Sequence, residues 1–315
     1  MKPHVLLIKS GGAAALPEWR AEFARWAPGL AVHDWDDPAV APDAVTYVLV
    51  WEPEPGRLAR FPNLRLILSA AAGVDHILAD SSRPPEVPVV RMVTGETRQR
   101  MTEFVALAAL ALIRQLPAII AAQHAARWDE SLTGRLASDT RVGILGLGEL
   151  GSAAARTLSA LGFQVSGWSR SPKSIDAVHS HHGEDGLDTL LAQSDLLVNL
   201  LPDTAATRRV LDARRLARLP RGAALINVGR GSHLDPDALL AALDDGHLSA
   251  AVLDVFDVEP LPASSRFWQH PKVIVTPHVA SNVSRRARAQ QAAATIENDL
   301  RGGQPKHRYD AVAGY

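Results

Sequence analysis

Short, uninterrupted apolar runs recur along the chain, separated by longer stretches in which apolar residues return every three or four positions. In the first ninety or so residues the runs are VLLIK at 5–9, AVHDW at 31–35, YVLVW at 47–51, LRLILSA at 64–70 and VPVVRM at 87–92. Runs of this length, alternating with amphipathic stretches, are what parallel strands buried on both faces look like. The pattern predicts an α/β layer domain here. A second series follows, with RVGILG at 141–146, QVSGW at 164–168, DLLVNL at 195–200, AALINVG at 223–229, SAAVLDVF at 249–256 and KVIVTPH at 272–278. It predicts another doubly wound sheet.

Between the two series lies an alanine-rich helical pattern from about Arg98 to Trp128, which Pro117 should kink or divide. From Met101 to Ala122 it is apolar on more than one face, which predicts burial against something larger than its own domain, and a homodimer interface is expected there. After His278 the stretch Ser284 to Leu300 reads as one more helix and the remainder as an irregular tail, so the chain returns to its first domain. The expected division is residues 1–97 with 285–315 against residues 98–284.

Composition narrows the function classes. The 315 residues exceed one ordinary core, and 47% hydrophobic with 21% charged residues fits a globular α/β protein. A net charge of -1 gives no bulk attraction to nucleic acid or to an anionic membrane, so the expected partner is a small molecule. No cysteine is present, which excludes disulfides, thiolate nucleophiles and Cys-ligated zinc and suits a reducing cytoplasm. The first apolar run is too short for a signal peptide, and the longest one, from Val105 to Ala122, is broken by Arg114, Gln115 and Pro117.

Gly146-Leu147-Gly148-Glu149-Leu150-Gly151 matches G-x-G-x-x-G between an apolar strand and an amphipathic helix. In such a unit Gly146 permits the tight turn, Gly148 lets a pyrophosphate approach the backbone, and Gly151 lets helix pack on strand. The phosphates then lie at a helix N-terminus. About 20 residues further on, an acidic residue ordinarily accepts the ribose hydroxyls. Here Ser169 takes that place, followed by Arg170 and, nearby, Lys173. A carboxylate would repel a 2′-phosphate, whereas a hydroxyl and a guanidinium hold and neutralise it, so the expected cofactor is NADP(H). A solvated loop is the alternative explanation of these two cations.

Three polar groups fall at strand ends of the second domain, the edge at which doubly wound sheets bind ligands. They are Arg230 in NVGRG, Glu259 in LDVFDVEP and His278 in TPH. Reducing a 2-oxo acid builds negative charge on the carbonyl oxygen, which a fixed cation and a proton donor stabilise. Arg230 suits the cation, His278 the donor, and Glu259 the group that holds the imidazole and favours its charged form.

With these residues in place the sequence resembles the D-isomer-specific 2-hydroxyacid dehydrogenases, and among them the glyoxylate/hydroxypyruvate reductase A branch. The stretches that carry the resemblance are VLVW, AAGVD, MTEFV, GILGLGELG, GWSRSPKS, NLLPDTAAT, LINVGRGSHL, LLAALDDGHLSAAVLDVF, EPLP and VTPH, in the family's order along essentially the whole chain. The resemblance implies a flavodoxin-like substrate domain plus a Rossmann dinucleotide-binding domain, with the active site in the cleft. It implies that Arg230 binds the substrate's carboxylate and carbonyl, that His278 is the acid/base and that Glu259 is its partner. It also implies that the backbone amides around Gly73 and Val74 receive the carboxylate and that Trp51 lines the substrate pocket. Pro202 and Thr207 would lie beside the adenosine half, Asp254 on the nicotinamide carboxamide, and Leu150 and Val228 among the remaining cofactor contacts. The implied reaction is NADPH-dependent reduction of small 2-oxo acids, glyoxylate to glycolate and hydroxypyruvate to D-glycerate.

Two other readings remain open on the sequence: an NAD-linked D-2-hydroxyacid dehydrogenase acting on another substrate, and a non-catalytic module that senses dinucleotides. The histidines at 179, 181 and 182 are read as part of a polar loop with no ligand geometry, so no metal is expected. Arg285, Arg286 and Arg288 are read as the solvated face of a helix.

Overall fold

The computed structural model describes residues 4–311 and 314. They fall into two compact units: the residues up to Thr97 together with those from Val283 onward, and Arg98–Asn282. The second crossing thus comes at Val283, against an expected 285.

The first unit contains β1 (His4–Lys9), α1 (Leu16–Trp26), β2 (Leu30–Asp34), β3 (Val45–Val50), β4 (Leu66–Ser69), α2 (Asp75–Leu78) and β5 (Val89–Val90). All strands pair in parallel in the order β2-β1-β3-β4-β5, the flavodoxin-like arrangement, with its reversal between β1 and β3. Alternation along β1 explains the unbroken apolar runs. Leu6 and Ile8 face Trp19 and Phe23 of α1 and the alanines of the helix Arg285–Leu300, while Val5 and Leu7 face Trp35, Leu58 and Ile77. Ser284 caps that last helix, its Oγ accepting the Ala287 N–H at 3.2 Å. Its small residues, Ala289, Ala292 and Ala293, allow it to lie close on the sheet. Beyond it, Tyr309 donates its N–H to the Val89 carbonyl at 2.8 Å, extending the sheet beside β5.

The second unit receives α3 (Gly95–Ile113), whose first turn belongs to the first unit, and α4 (Leu116–His124). The expected division of this helical stretch falls at Gln115, which takes a left-handed φ of 57°, and Pro117 opens α4. Proline suits the first turn because its missing N–H would have no intrahelical partner there. Then come β6 (Arg141–Leu145), α5 (Glu149–Ala160), β7 (Gln164–Ser169), β8 (His179–His182), α6 (Gly183–Gln193), β9 (Leu196–Asn199), α7 (Ala213–Leu216), β10 (Ala223–Asn227), α8 (Pro236–Asp244), β11 (Leu248–Leu253) and β12 (Val273–Val275). The parallel order is β12-β11-β10-β9-β6-β7-β8, a Rossmann sheet with one strand added and its reversal between β6 and β9. Apolar clusters cover both faces, Val142 and Ile144 on one and Leu145 on the other.

β8 corrects one expectation. The histidines at 179, 181 and 182 lie on an edge strand rather than in a loop, with His179 opposite Ser166 and His182 opposite Ser169. Hydrogen bonds to β7 hold this strand, and its half-exposed side chains carry no apolar alternation for a reader of the sequence to detect. Among the described residues no three His, Cys, Asp or Glu side chains group as they would around a metal ion. Among the same residues no single helix is long and apolar enough to cross a membrane.

Candidate active site

All strands of the second unit's sheet run the same way, so every loop leaving a carboxyl end emerges on one edge. Read across the sheet from β7 to β12, that edge carries Ser169 to Lys173, the glycine turn, Pro202 to Thr207, Val228 to Arg230, Asp254 to Glu259, and Thr276 to His278. Strand order therefore places the expected adenosine-side groups at one end of a row and the three expected catalytic groups on neighbouring strands at the other.

The glycine turn sits at the switch point. Gly146 has a φ of 96°, and a Cβ on it would come within 2.8 Å of the Leu200 carbonyl, so the loops after β6 and β9 press together there. A Cβ on Gly151 would fall 1.8 Å from the Gly146 carbonyl oxygen, which is the close approach of helix to strand expected of the third glycine. A Cβ on Gly148 would meet nothing within 4 Å. This open face beside the first turn of α5, where helical N–H groups lack intrahelical partners, fits a pyrophosphate. Glu149 in that turn is paired with Arg98. Leu150 packs half-buried on the apolar cluster beneath.

Ser169 ends β7 and is buried, its hydroxyl donating to the Ser171 carbonyl at 2.7 Å, while Arg170 and Lys173 are exposed in the following turn. For Ser169 to donate to a phosphate it must exchange that internal bond. Thr207 Oγ1 donates to the Pro202 carbonyl at 2.7 Å and accepts the Thr204 N–H at 2.9 Å, which closes the loop after β9 into one shape. Val228 is buried in the core, so what it offers at this edge is backbone.

At the other end of the row, His278 Nδ1 and Glu259 Oε2 are 2.7 Å apart, and Glu259 Oε1 accepts the Phe256 N–H at 2.8 Å. Burial disfavours the charge of Glu259, but the hydrogen bonds from His278 and Phe256 and the charges of His278 and Arg230 outweigh it and hold the carboxyl below its ordinary range. An ionised carboxylate only accepts, so His278 Nδ1 carries the proton of this hydrogen bond. His278 has a left-handed φ of 52°, unusual for a residue with a side chain. Asp254 holds it there. Its buried carboxylate accepts from Thr276 Oγ1 at 2.5 Å, Val279 N–H at 2.9 Å and Ala280 N–H at 2.9 Å, and its carbonyl accepts the His278 N–H at 2.8 Å. The residue expected on the nicotinamide is thus occupied largely with shaping the His278 loop. Arg230 is half-buried, with Nη1 donating to the Gly229 carbonyl at 2.8 Å. A Cβ on Gly231 would fall 1.9 Å from the Phe256 backbone, so the Arg230 and Glu259 loops are in direct contact.

In the first unit, Trp51 follows β3, its ring centroid 4.2 Å from that of His76. After β4 three successive carbonyls are taken up: Ala71 by the Met92 N–H at 3.0 Å, Ala72 by Arg91 Nε at 2.9 Å, and Gly73 by Ser69 Oγ at 2.8 Å. A trans peptide points its N–H opposite its C=O. Anchoring the carbonyls of Ala72 and Gly73 therefore turns the N–H groups of Gly73 and Val74 the other way, as an anion-binding loop requires. The reading of the sequence passed over Ser69, Arg91 and Thr276, whose side chains hold these loops, and Asn199, Asn227 and His233, which hydrogen-bond to one another beside the Arg230 turn. The asparagines that end the apolar runs LLVN and AALIN were its one available signal.

The profile of the D-isomer specific 2-hydroxyacid dehydrogenase NAD binding domain matches residues 106–280. A glyoxylate/hydroxypyruvate reductase A of Serratia proteamaculans (strain 568) is 38% identical over 303 residues, 95% of this chain and 96% of that protein. The crystal structure of a D-isomer specific 2-hydroxyacid dehydrogenase from Xanthobacter autotrophicus Py2, in complex with NADPH and MES, superposes with a TM-score of 0.94 at 41% identity, covering 99% of this chain and 100% of that one. The NADPH-dependent glyoxylate/hydroxypyruvate reductase of Sinorhizobium meliloti, in complex with NADP and sulfate, gives 0.91 at 39% identity, covering 99% and 100%. With its Rossmann edge, its Arg, Glu and His on adjacent strands and this likeness along nearly its full length, the chain belongs to the D-isomer specific 2-hydroxyacid dehydrogenase family.

Proposed function

We propose that this protein is an NADPH-dependent reductase of small 2-oxo acids, with glyoxylate and hydroxypyruvate as substrates and glycolate and D-glycerate as products. The observation that carries the reading is the 2.7 Å pair of His278 and Glu259, in the loops after β12 and β11, with Arg230 in the loop after neighbouring β10. The relatives' names and the NADPH and NADP in the solved structures support the substrate class and the cofactor.

The geometry of the sheet edge and the family resemblance together support the following roles. The open backbone at Gly148 and the first turn of α5 receive the pyrophosphate, with Leu150, Gly146 and Gly151 shaping the turn. Ser169, Arg170 and Lys173 hold the 2′-phosphate, which favours the phosphorylated cofactor over NADH. Pro202 and Thr207 border the adenosine, and Val228 and Asp254 the nicotinamide. When bound, the reduced nicotinamide supplies the hydride. Arg230 grips the substrate through its planar fork and neutralises the charge that develops on the carbonyl oxygen. His278 Nε2 donates a proton to that oxygen, while Glu259 keeps Nδ1–H in place and orients the ring. Within the first unit, the Gly73 and Val74 amides suit a carboxylate, and the Trp51 ring stands beside His76. The reducing direction goes with this reading, since the phosphorylated nicotinamide pool is generally kept reduced in cells, and we assign the protein to the cytoplasm as a homodimer.

The test is the loss of NADPH absorbance on adding a panel of 2-oxo acids, repeated with NADH. The expected result is turnover of glyoxylate and hydroxypyruvate with clear preference for NADPH. Binding of NADPH without turnover of any 2-oxo acid would instead identify a dinucleotide-sensing module.

A further inference from the structure

β9 and β10 end on two asparagines that lie opposite each other in the ladder, Asn199 and Asn227, both fully buried. Asn199 Oδ1 accepts the Leu201 N–H at 3.2 Å, which fixes the orientation of its amide. Its Nδ2 therefore donates, to Asn227 Oδ1 at 2.9 Å and to His233 Nδ1 at 2.9 Å. It follows that His233 Nδ1 accepts and that the ring proton lies on Nε2, 4.0 Å from Asp203 Oδ1. Asn227 Oδ1 also accepts the Gly229 N–H at 3.2 Å, and its Nδ2 donates to the Arg230 carbonyl at 3.1 Å. That carbonyl accepts the His233 N–H as well, at 3.3 Å. Space at the turn is as constrained as its hydrogen bonds: a Cβ on Gly229 would stand 2.9 Å from Asn199 Nδ2 and 3.1 Å from His233 Nδ1.

Burying three polar side chains at the end of a sheet costs desolvation that apolar residues of similar size would not. What the network adds is a single backbone path through Gly229 and Arg230. The arginine side chain is long, and the point and angle at which it leaves the backbone decide where its guanidinium falls. A misplacement of about 1 Å at a reacting centre costs on the order of 10²-fold in rate. We propose that Asn199, Asn227 and His233 form a positioning network for Arg230, with Asn227 as its working link and none of the three touching the substrate. This rests on the reading of Arg230 as the group that grips the 2-oxo acid.

The test is a double-mutant cycle of Asn227→Ala and Arg230→Ala. It is read as kcat/KM for glyoxylate and, without need of turnover, as the calorimetric dissociation constant of oxamate on the NADPH-loaded protein. Asn227→Ala alone should lower kcat/KM and weaken oxamate by roughly 10-fold, with the NADPH dissociation constant changed less than about threefold. In the Arg230→Ala background the same change should cost less than about twofold more, because its route of action is already gone. An equal factor in both backgrounds, or a parallel loss of NADPH affinity, would overturn the proposal. If the alanine protein fails to fold, Asn227→Asp keeps the acceptor for Gly229 and loses the donor to the Arg230 carbonyl, and the same cycle is run with it. A native protein that binds oxamate but reduces no 2-oxo acid sinks the enzymatic reading and leaves the cycle to be decided on binding. One that does neither sinks both.

Discussion

Glu259 takes two donors, the His278 ring and the Phe256 N–H, and they hold its carboxyl below the ordinary range despite its burial. A carboxyl lowered in the fold contributes stability that is complete above its unfolded value and is lost as pH falls through the lowered one. Glu259→Gln should therefore flatten the acid-side decline of Tm, and superimposable acid limbs for native and variant would contradict the assignment. Removing the Arg230 guanidinium deprives the developing oxyanion of its fixed cation, so Arg230→Ala should lower kcat/KM for glyoxylate by roughly 10²- to 10³-fold with NADPH binding retained. Arg170 belongs to a different part of the row. Arg170→Ala should lower kcat/KM for NADPH by roughly 10-fold or more and leave that for NADH nearly unchanged, in competition assays with the two cofactors. Arg230, Glu259 and His278 were singled out as a set, since each alone suits a solvated surface, a helix start or a cap, and only their joint place at strand ends after a dinucleotide turn marks them. The residues that hold them were not, since an asparagine or serine closing a strand reads the same whether it caps, turns or positions.

Elements were legible where periodicity marked them. Central strands buried on both faces announced themselves as apolar runs, and the C-terminal helix as the stretch from Ser284 to Leu300. β8 left no such trace, because hydrogen bonds to β7 rather than side-chain burial hold it in the sheet. The turn between β6 and α5 offers the sharpest test at this scale. Gly151→Ala puts a methyl group on the Gly146 carbonyl and should destabilise the protein by about 1–3 kcal/mol, seen as a fall in Tm. Gly148→Ala meets open space at a φ of -74°, so it should leave Tm nearly unchanged while weakening NADPH. Equal effects of the two on stability would show that the second glycine is there for packing rather than for a phosphate.

At the scale of the whole molecule, α3 and α4 keep Leu107, Leu110, Leu116, Ile119 and Ile120 exposed, side chains that a second copy of the chain would cover. Light scattering should give the mass of a dimer, and Leu107→Glu with Ile119→Glu should shift it toward the monomer; a native monomer would end the homodimer assignment. The central claim is that a polar trio on one sheet edge reduces a 2-oxo acid with NADPH. Its most direct test is turnover of hydroxypyruvate at saturating NADPH by native protein and by His278→Ala, with NADPH binding measured on both. The account predicts unchanged binding and a fall in kcat of roughly 10²- to 10⁴-fold. Near-native turnover by the variant would contradict it.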